Sequence, residues 1–411
     1  MLLIILLTQV QVDSITMQDA IERAFMNSPA YFESQLSVTK ARIQFYQSLF
    51  NILPTLSATT TMSTNELNDV ETSQCTNALN ATLPVFDLDI ISSIFVAGGQ
   101  LTGSKIQHRS DVAGLILRIK TAYYNLINGR ELVRSSTVAI ERAQKNYDLV
   151  KTKLDLGSAS RLEMLQAEVF RLRTLQDQAR AKTMEATARE ELKTLLGADR
   201  IYVPVDSITE PDSVVFMDID SLLALLERVN YSIRVADQVQ RISRLNLYAS
   251  YLSFMPRISF FYSKTLYADS FKFDFEYFSD RAATNYGFSV ALPIFELKGL
   301  IFKVLNARAD ARQKSYARVR TIMEAKKSLR TAYFSLQESY DRLQFAKKSY
   351  EATDEAAKIA AERYALGALS LLDLLTIESS GYDARVTYVQ SLTDYYVQRA
   401  NLSYLIGEQE R

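Results

Sequence analysis

Glu163 lies six residues after Gly157, and Asp373 lies six residues after Gly367. Carboxylates can hold protons or cations, so this matched pair is the first candidate for chemistry. An acid in the first turn of a helix is also favoured simply by the exposed N–H groups and the helix dipole. Other candidates are few. The chain has one histidine, His108, and one cysteine, Cys75. Neither has companions at metal-ligand spacing, so no metal site is expected. Cys75 alone cannot form an internal disulfide, and no N-terminal hydrophobic stretch precedes it as at a lipid attachment site. No glycine loop suits a phosphate and no nucleophile motif occurs. The residues point to a protein that is not an enzyme and needs no cofactor.

Lysine plus arginine and aspartate plus glutamate number 47 each, so no bulk charge invites nucleic acid. A chain of 411 residues can bury a large core. The run Met1-Leu2-Leu3-Ile4-Ile5-Leu6-Leu7 is too short for a spanning helix, which needs roughly 20 residues. It suits the apolar part of a signal peptide, although a basic start is missing. A buried hydrophobic start is the alternative.

The elements that must position the two acids are long. No proline lies between 85 and 203, and none after 293. Proline breaks helix interiors, so two long helical stretches are permitted. Helices are expected at about 87–156 and 160–196, then at about 297–366 and 370–406. About 70 helical residues make a rod of about 100 Å. Ile119, Leu126, Val133, Ile140, Tyr147 and Leu154 step by seven, each followed three residues later by a smaller residue such as Ala122, Gly129, Ser136 or Ala143. Leu329, Leu336, Leu343, Tyr350, Ala357 and Tyr364 repeat the pattern. This is a knobs-into-holes seam with close backbone approach. The returning helices carry sparser seams, Leu162, Leu165, Val169 and Leu172 in the first, and Leu372 and Leu375 onward in the second. Gly157 and Gly367 turn two helical hairpins.

The prolines frame a period of two. Leu56, Ala58, Thr60 and Met62 alternate with Thr55, Ser57, Thr59 and Thr61. Leu79, Ala81, Leu83 and Val85 alternate with Asn80 and Thr82. Ile258, Phe260, Tyr262 and Leu266 oppose Arg257, Ser259, Ser263 and Thr265, with Phe261 and Lys264 breaking the pattern. Tyr286, Phe288, Val290, Leu292 and Ile294 alternate with Asn285, Gly287, Ser289 and Ala291. Period two means strands with one apolar and one polar face. Polar connections are expected at 64–76 and about 269–283. Strands of about 10 residues can cross a membrane when tilted. Four strands cannot close a barrel in lipid, so the barrel must be shared. Two copies would give a filled interior, and three a pore.

The whole plan occurs twice. Ala122-Tyr123-Tyr124-Asn125-Leu126 returns as Ala332-Tyr333-Phe334-Ser335-Leu336, and Leu83-Pro84-Val85-Phe86 as Leu292-Pro293-Ile294-Phe295. The division expected is 1–16 as a signal or N-terminal segment, 17–197 as the first repeat, 198–217 as a linker, and 218–411 as the second repeat. The first repeat has strands at 54–64 and 77–86 and a hairpin at 87–197. The second has strands at 256–268 and 284–295 and a hairpin at 297–407.

These features together resemble the TolC-like outer-membrane efflux protein family, the outer membrane factors of tripartite efflux systems. The duplicated strand–strand–long-helix plan carries the resemblance over about residues 17 to 407. Leu156-Gly157-Ser158-Ala159-Ser160 looks like the family's first tip, and Leu366-Gly367-Ala368-Leu369-Ser370 like the second. Asp19-Ala20-Ile21 through Asn27-Ser28-Pro29 is similar to its first helix. The resemblance implies a mainly α fold with a transmembrane β-barrel section, internally duplicated, with four long coiled-coil helices and four strands per chain. It implies a homotrimer, with a 12-stranded barrel in the outer membrane continued by a 12-helix periplasmic α-barrel. The tips would meet a periplasmic adaptor (membrane fusion) protein and, through it, an inner-membrane pump. The function implied is a passive exit duct for efflux or type I secretion.

In the family, an acid six positions after the second tip glycine faces the tunnel at its narrowest ring, and Asp373 matches it. A further family acid, three residues later, is replaced by Thr376. Glu163 has the equivalent offset in the first tip. A tip-proximal basic residue of the family's gate has no match, with Leu369 near that place. Three like charges about 7 Å apart repel by only about 0.6 kcal/mol per pair in water, so helix packing must do most of the closing. Tyr262, Tyr267, Tyr277 and Tyr286 fall where strands would meet lipid headgroups. The alternative to a channel is a non-membrane coiled-coil scaffold, which has no reason to keep four strands with an apolar face toward solvent.

Overall fold

The computed structural model describes residues 12–67, 70–211, 216–268, 282–293 and 297–407. The first half runs β1 (Val12–Ile15), α1 (Met17–Asn27), α2 (Pro29–Phe50), β2 (Thr55–Leu67), β3 (Val70–Phe86), α3 (Leu88–Asp155) and α4 (Arg161–Leu196). The second runs β4 (Ile201–Pro204), α5 (Ile219–Val229), α6 (Tyr231–Leu252), β5 (Arg257–Ala268), β6 (Ala283–Ala291), α7 (Leu297–Ala365) and α8 (Leu371–Leu405). The fold is mainly helical, and one element order is used twice. Corresponding helices have 11 and 11, 22 and 22, 68 and 69, and 36 and 35 residues. Equal lengths across the two halves mark a duplication of the whole unit, beyond the hairpins alone.

Three helices, α2, α5 and α6, go beyond the sequence expectations. Proline and tyrosine open α2 and α6, with a single residue between each and the end of the preceding helix. Ser28 and Asn230 hold extended backbone there, and each N–H still closes the last turn of the helix before it, on Ala24 and Leu226. The break is therefore a sharp bend between helices.

The chain forms two compact units. One comprises the segment ending at Ser34, Arg109–Tyr231 and the chain from Ile322 onward; the other comprises Gln35–His108 and Ser232–Thr321. Both α3 and α7 contribute residues to each.

In the second of these units the strands form one antiparallel sheet in the order β2-β3-β5-β6. Register decides which faces coincide. Leu56 pairs with Ala81, Ala81 with Tyr262 and Tyr262 with Tyr286. Leu83 pairs with Phe260, and Phe260 with Phe288, their rings 5.4 Å apart. Across the other face run Ser57, Asn80, Ser263 and Asn285. All four apolar stripes thus share one face of the sheet. Lys264, between Leu79 and Thr284, lies on that face, and Phe261, opposite Gly287, lies on the polar one. A Cβ at Gly287 would come within 3.3 Å of the Phe261 ring, so the glycine makes room for it.

Two expected boundaries are corrected. The stretch 64–76 is strand for most of its length, with Thr64 paired to Ser73 and their hydroxyls 3.1 Å apart. Threonine is a good strand residue even without alternation. The last strand ends at Ala291, short of 295; Pro293 has no N–H to offer a ladder. Ile294, Phe295 and Glu296 of the second proline motif lie outside the described residues, as do Tyr277, most of 269–283 and residues 1–11.

The other unit holds the hairpins. Ile119, Ala122, Leu126, Leu192 and Leu196 are fully buried in one cluster with Ile15, Ala20 and Ala24. The small residues of the seam are buried with the large ones: Ser136, Ala143 and Val150 on α3, and Ser339 and Ala360 on α7. At Gly129 a Cβ would lie 2.7 Å from the Glu185 Cα, so α3 and α4 touch backbone to backbone there. The α4 seam differs from the expected one. Leu162, Leu165, Val169 and Leu172 are exposed, whereas Ala167, Thr174, Ala181 and Ala188 are buried. The helix packs its small side of period seven inward because only small residues permit that approach.

The segment 1–16 and the linker 198–217 each contain a strand. Val12–Ile15 pairs in parallel with Ile201–Pro204, so the two halves meet through their equivalent first strands. Beyond β4 the linker is strapped to the hairpins. Asp206 accepts the Met17 N–H at 3.0 Å and lies 2.7 Å from the Tyr123 hydroxyl. Glu210 accepts from Lys347 at 2.5 Å and Tyr388 at 2.6 Å, and the Thr209 carbonyl accepts from Tyr396 at 2.8 Å. Phe216 sets its edge against Tyr333 and Tyr340.

Gly197 ends α4 at φ +64°, where an added Cβ would strike the Asn27 carbonyl and lie 3.0 Å from Pro29 Cδ. Gly197→Ala should therefore destabilise the fold by more than the ~1–2 kcal/mol of left-handed backbone strain alone. A lowered midpoint in thermal melts of the purified protein is the expected result.

Candidate functional site: the two hairpin tips

Both tips are built from the same local chemistry. In the first, Gly157 adopts φ +74°. The Gly157 N–H donates to the Leu154 carbonyl at 2.9 Å, and the Ser158 N–H to the Lys153 carbonyl at 2.7 Å. In the second, Gly367 adopts φ +76° and donates to Tyr364 at 3.1 Å, while Ala368 donates to Arg363 at 2.8 Å. This double bond pattern satisfies the free carbonyls of a helix end and requires a left-handed residue. Nothing lies within 4 Å of a Cβ at either glycine, so backbone conformation alone explains the residue type.

The returning helices start on serines. Ser160 accepts the Glu163 N–H at 3.2 Å, and the Glu163 carboxylate accepts the Ser160 N–H at 2.6 Å. Ser370 accepts the Asp373 N–H at 3.2 Å and donates its hydroxyl to the Asp373 carboxylate at 2.7 Å. Both acids of the sequence analysis are thus bound to their own N-caps. The Ser160 N–H, and then its hydroxyl, hold the Glu163 carboxyl below the usual range. Glu163 is half-buried; Asp373 and Thr376 are exposed. The Thr376 hydroxyl donates to the Leu372 carbonyl of its own helix at 2.8 Å.

The two tips share one apolar cluster. Val150, Met164 and Ala167 from the first hairpin pack with Ala360, Tyr364, Leu371, Leu374 and Leu375 from the second. Ala159 and Leu369 pack against it, whereas Leu156 and Leu366 stand 76% and 84% exposed. Leu369 is therefore part of the joint between tips. The basic group at that joint is Lys153, which the sequence analysis did not single out. Its ammonium donates to the Tyr364 carbonyl at 3.2 Å and sits 4.1 Å from the Tyr364 ring centre. Burial, then the Glu163 charge, pushes the Tyr364 hydroxyl up. A lysine four residues before a tip glycine and a tyrosine three before its counterpart were the available signals. His108 lies on α3, partly buried. Among the described residues no group of three or more His, Cys, Asp or Glu side chains could hold a metal.

The duplicated strand–helix plan with paired hairpins is the fold of solved outer-membrane channels. The family model for outer membrane efflux proteins matches residues 20–198 and 224–408, one stretch per repeat, and the chain belongs to that family. It is 18% identical to the outer membrane protein TolC of Escherichia coli K12 over 83% of this chain and 71% of that protein. It is 22% identical to the probable efflux pump outer membrane protein TtgC of Pseudomonas putida, over 95% and 82%. The solved outer membrane channel CmeC of Campylobacter jejuni has the same fold, with a TM-score of 0.83 at 16% identity over 96% of this chain and 87% of that one. Family membership places the protein in the outer membrane.

Removing the serine cap should fray the first tip. Ser160→Ala is expected to speed amide exchange at 161–164 about fivefold, the equivalent of ~1 kcal/mol. Because the Glu163 carboxyl is held low, its share of the cap is present above the ordinary carboxylate range and is lost as pH falls through the lowered value.

Proposed function

We propose that this chain is one third of a homotrimeric exit duct of a tripartite efflux or type I secretion system. The observation that carries this reading is the register of the sheet. It collects the apolar side chains of four strands on one face, and that face is open: Leu56 is 72% and Phe288 70% exposed. The sheet also has two edge strands, β2 and β6. Lipid against the apolar face and neighbouring copies at both edges would satisfy the side chains and the backbone together. Three copies supply twelve strands, enough for a water-filled pore lined by the Ser, Thr and Asn face.

The long helices would continue the duct through the periplasm. The exposed stripe Leu162, Leu165, Val169 and Leu172 on α4 supports contact with an adjacent copy. A periplasmic adaptor would dock on Leu156, Gly157, Ser158, Ala159 and Ser160, and on Leu366, Gly367, Ala368, Leu369 and Ser370. The bare leucines at the two turns offer apolar contact, and the small residues permit close backbone approach. Asp373 would face the lumen, with Glu163 and Thr376 at the same narrow level. Tyr262 and Tyr286, paired across strands, would anchor the barrel at the headgroups. A water-soluble coiled-coil scaffold would leave the apolar sheet face without a partner.

The purified protein should require detergent, have three times the mass of one chain, and appear by electron microscopy as a three-fold cylinder. A monodisperse monomer in plain buffer would overturn the reading. In planar bilayers, Asp373→Asn should lower the preference for cations over anions while leaving the barrel intact; an unchanged reversal potential would remove Asp373 from the constriction.

A further inference from the structure

Glu378 on α8 is an ionisable side chain deep among the hairpin helices, and neither the tips nor the duct reading uses it. Its side chain is 9% exposed. It lines a partly open cavity of about 50 Å³ between α3, α4, α7 and α8. Ala139 and Phe170 supply apolar wall, and at 9% exposure the carboxylate has lost most of its water. One cation answers it. Arg142 of α3 approaches Glu378 at 3.7 Å and Asp354 of α7 at 3.4 Å. Both distances exceed those of tight charge-assisted hydrogen bonds, about 2.7–2.9 Å. The guanidinium is divided between two acids and compensates neither fully.

Several other groups around the cavity have partners of their own. Arg385 donates to the Ser135 hydroxyl at 2.7 Å and to the Tyr350 hydroxyl at 3.2 Å. Asp354 is also held by Lys358 at 2.7 Å, which, ahead of Arg142, keeps its carboxyl low. Burial, and then the charges of Asp177 and Asp383, push the Tyr382 hydroxyl up, so it stays neutral. From α4, Arg173 and Asp177 complete the lining, and Asp177 lies 3.8 Å from Arg180. Asp383 adds a further acid from α8 itself.

We propose that Glu378 is a proton-sensitive joint between the two hairpins, locking α8 against α3 and α7 when protonated and loosening it when ionised. A neutral carboxyl suits the buried position of Glu378 and leaves Arg142 wholly to Asp354. An ionised one leaves a buried negative charge whose guanidinium, Arg142, is shared with the partly exposed Asp354. Burial dominates and raises the Glu378 pKa above its ordinary 4.5, outweighing Arg142. The sign follows: the stabilisation is fully present below the ordinary value and is lost as pH rises through the raised one. Glu378 sits on the same helix as Asp373, so this joint would set the mobility of the second tip.

Hydrogen exchange across α8, corrected for intrinsic rates, tests this on the full-length protein in detergent and does not depend on channel activity. In the wild type, exchange over 371–392 should be several-fold slower in mildly acidic than in neutral buffer. Glu378→Gln should be slow in both. Arg142→Met should speed exchange far more in neutral than in acidic buffer, because only the ionised carboxylate needs the guanidinium. A wild type without pH dependence, a Glu378→Gln variant that keeps it, or an Arg142→Met effect equal in both buffers would overturn the proposal.

Discussion

A four-stranded sheet with nearly all its apolar side chains on one side exposes that side to water only at a cost, and its two edges cannot be left unpaired in lipid. Burial is worth about 25 cal/mol per Å² of apolar surface, so an open face carrying Leu56, Tyr262, Phe260 and Phe288 is a strong demand for a partner. The demand exists only because of register. A slip of one residue in any one strand would move its side chains to the opposite face. The ladder Leu83–Phe260–Phe288 is therefore the feature on which the proposed membrane section depends.

The helical hairpins obey a second constraint, that of distance. Long helices cross closely only where side chains are small. Gly129 against the backbone of Glu185, and Ala167, Thr174, Ala181 and Ala188 along α4, provide that closeness. Leu162, Leu165, Val169 and Leu172 of α4 turn outward and form an exposed apolar stripe. At the tips the same economy of size appears in the left-handed glycines, after which Ser160 and Ser370 restart the helices.

Polar groups then decide how the two halves are tied. The linker enters as β4 beside β1 and continues through Asp206 and Glu210, whose partners come from both repeats. Lys153 crosses from the first hairpin to Tyr364 of the second, and Arg142 crosses to Asp354 and Glu378. The ties through Lys153 and Arg142 lie partly inside the packed helices, where charge is costly unless compensated, so protonation of Glu378 can change the strength of the Arg142 tie.

Much of this was legible in the sequence. Period two marked the alternating stretches of β2, β3, β5 and β6 but not β1, β4 or the turn-side part of β3, while period seven marked the inner seam of α3 and α7 and the glycines the turns, because each pattern is imposed by backbone geometry within a few residues. The duplication gave each a second instance. What local pattern could not supply was any relation between distant segments. The pairing of Val12–Ile15 with Ile201–Pro204, the inward side of α4, the place of Lys153 on Tyr364 and the burial of Glu378 each depend on which helix or strand lies opposite. Sequence periodicity fixes which face of an element is apolar; only the packed structure selects its neighbour, since burial and charge compensation are properties of a pair of surfaces and not of one segment.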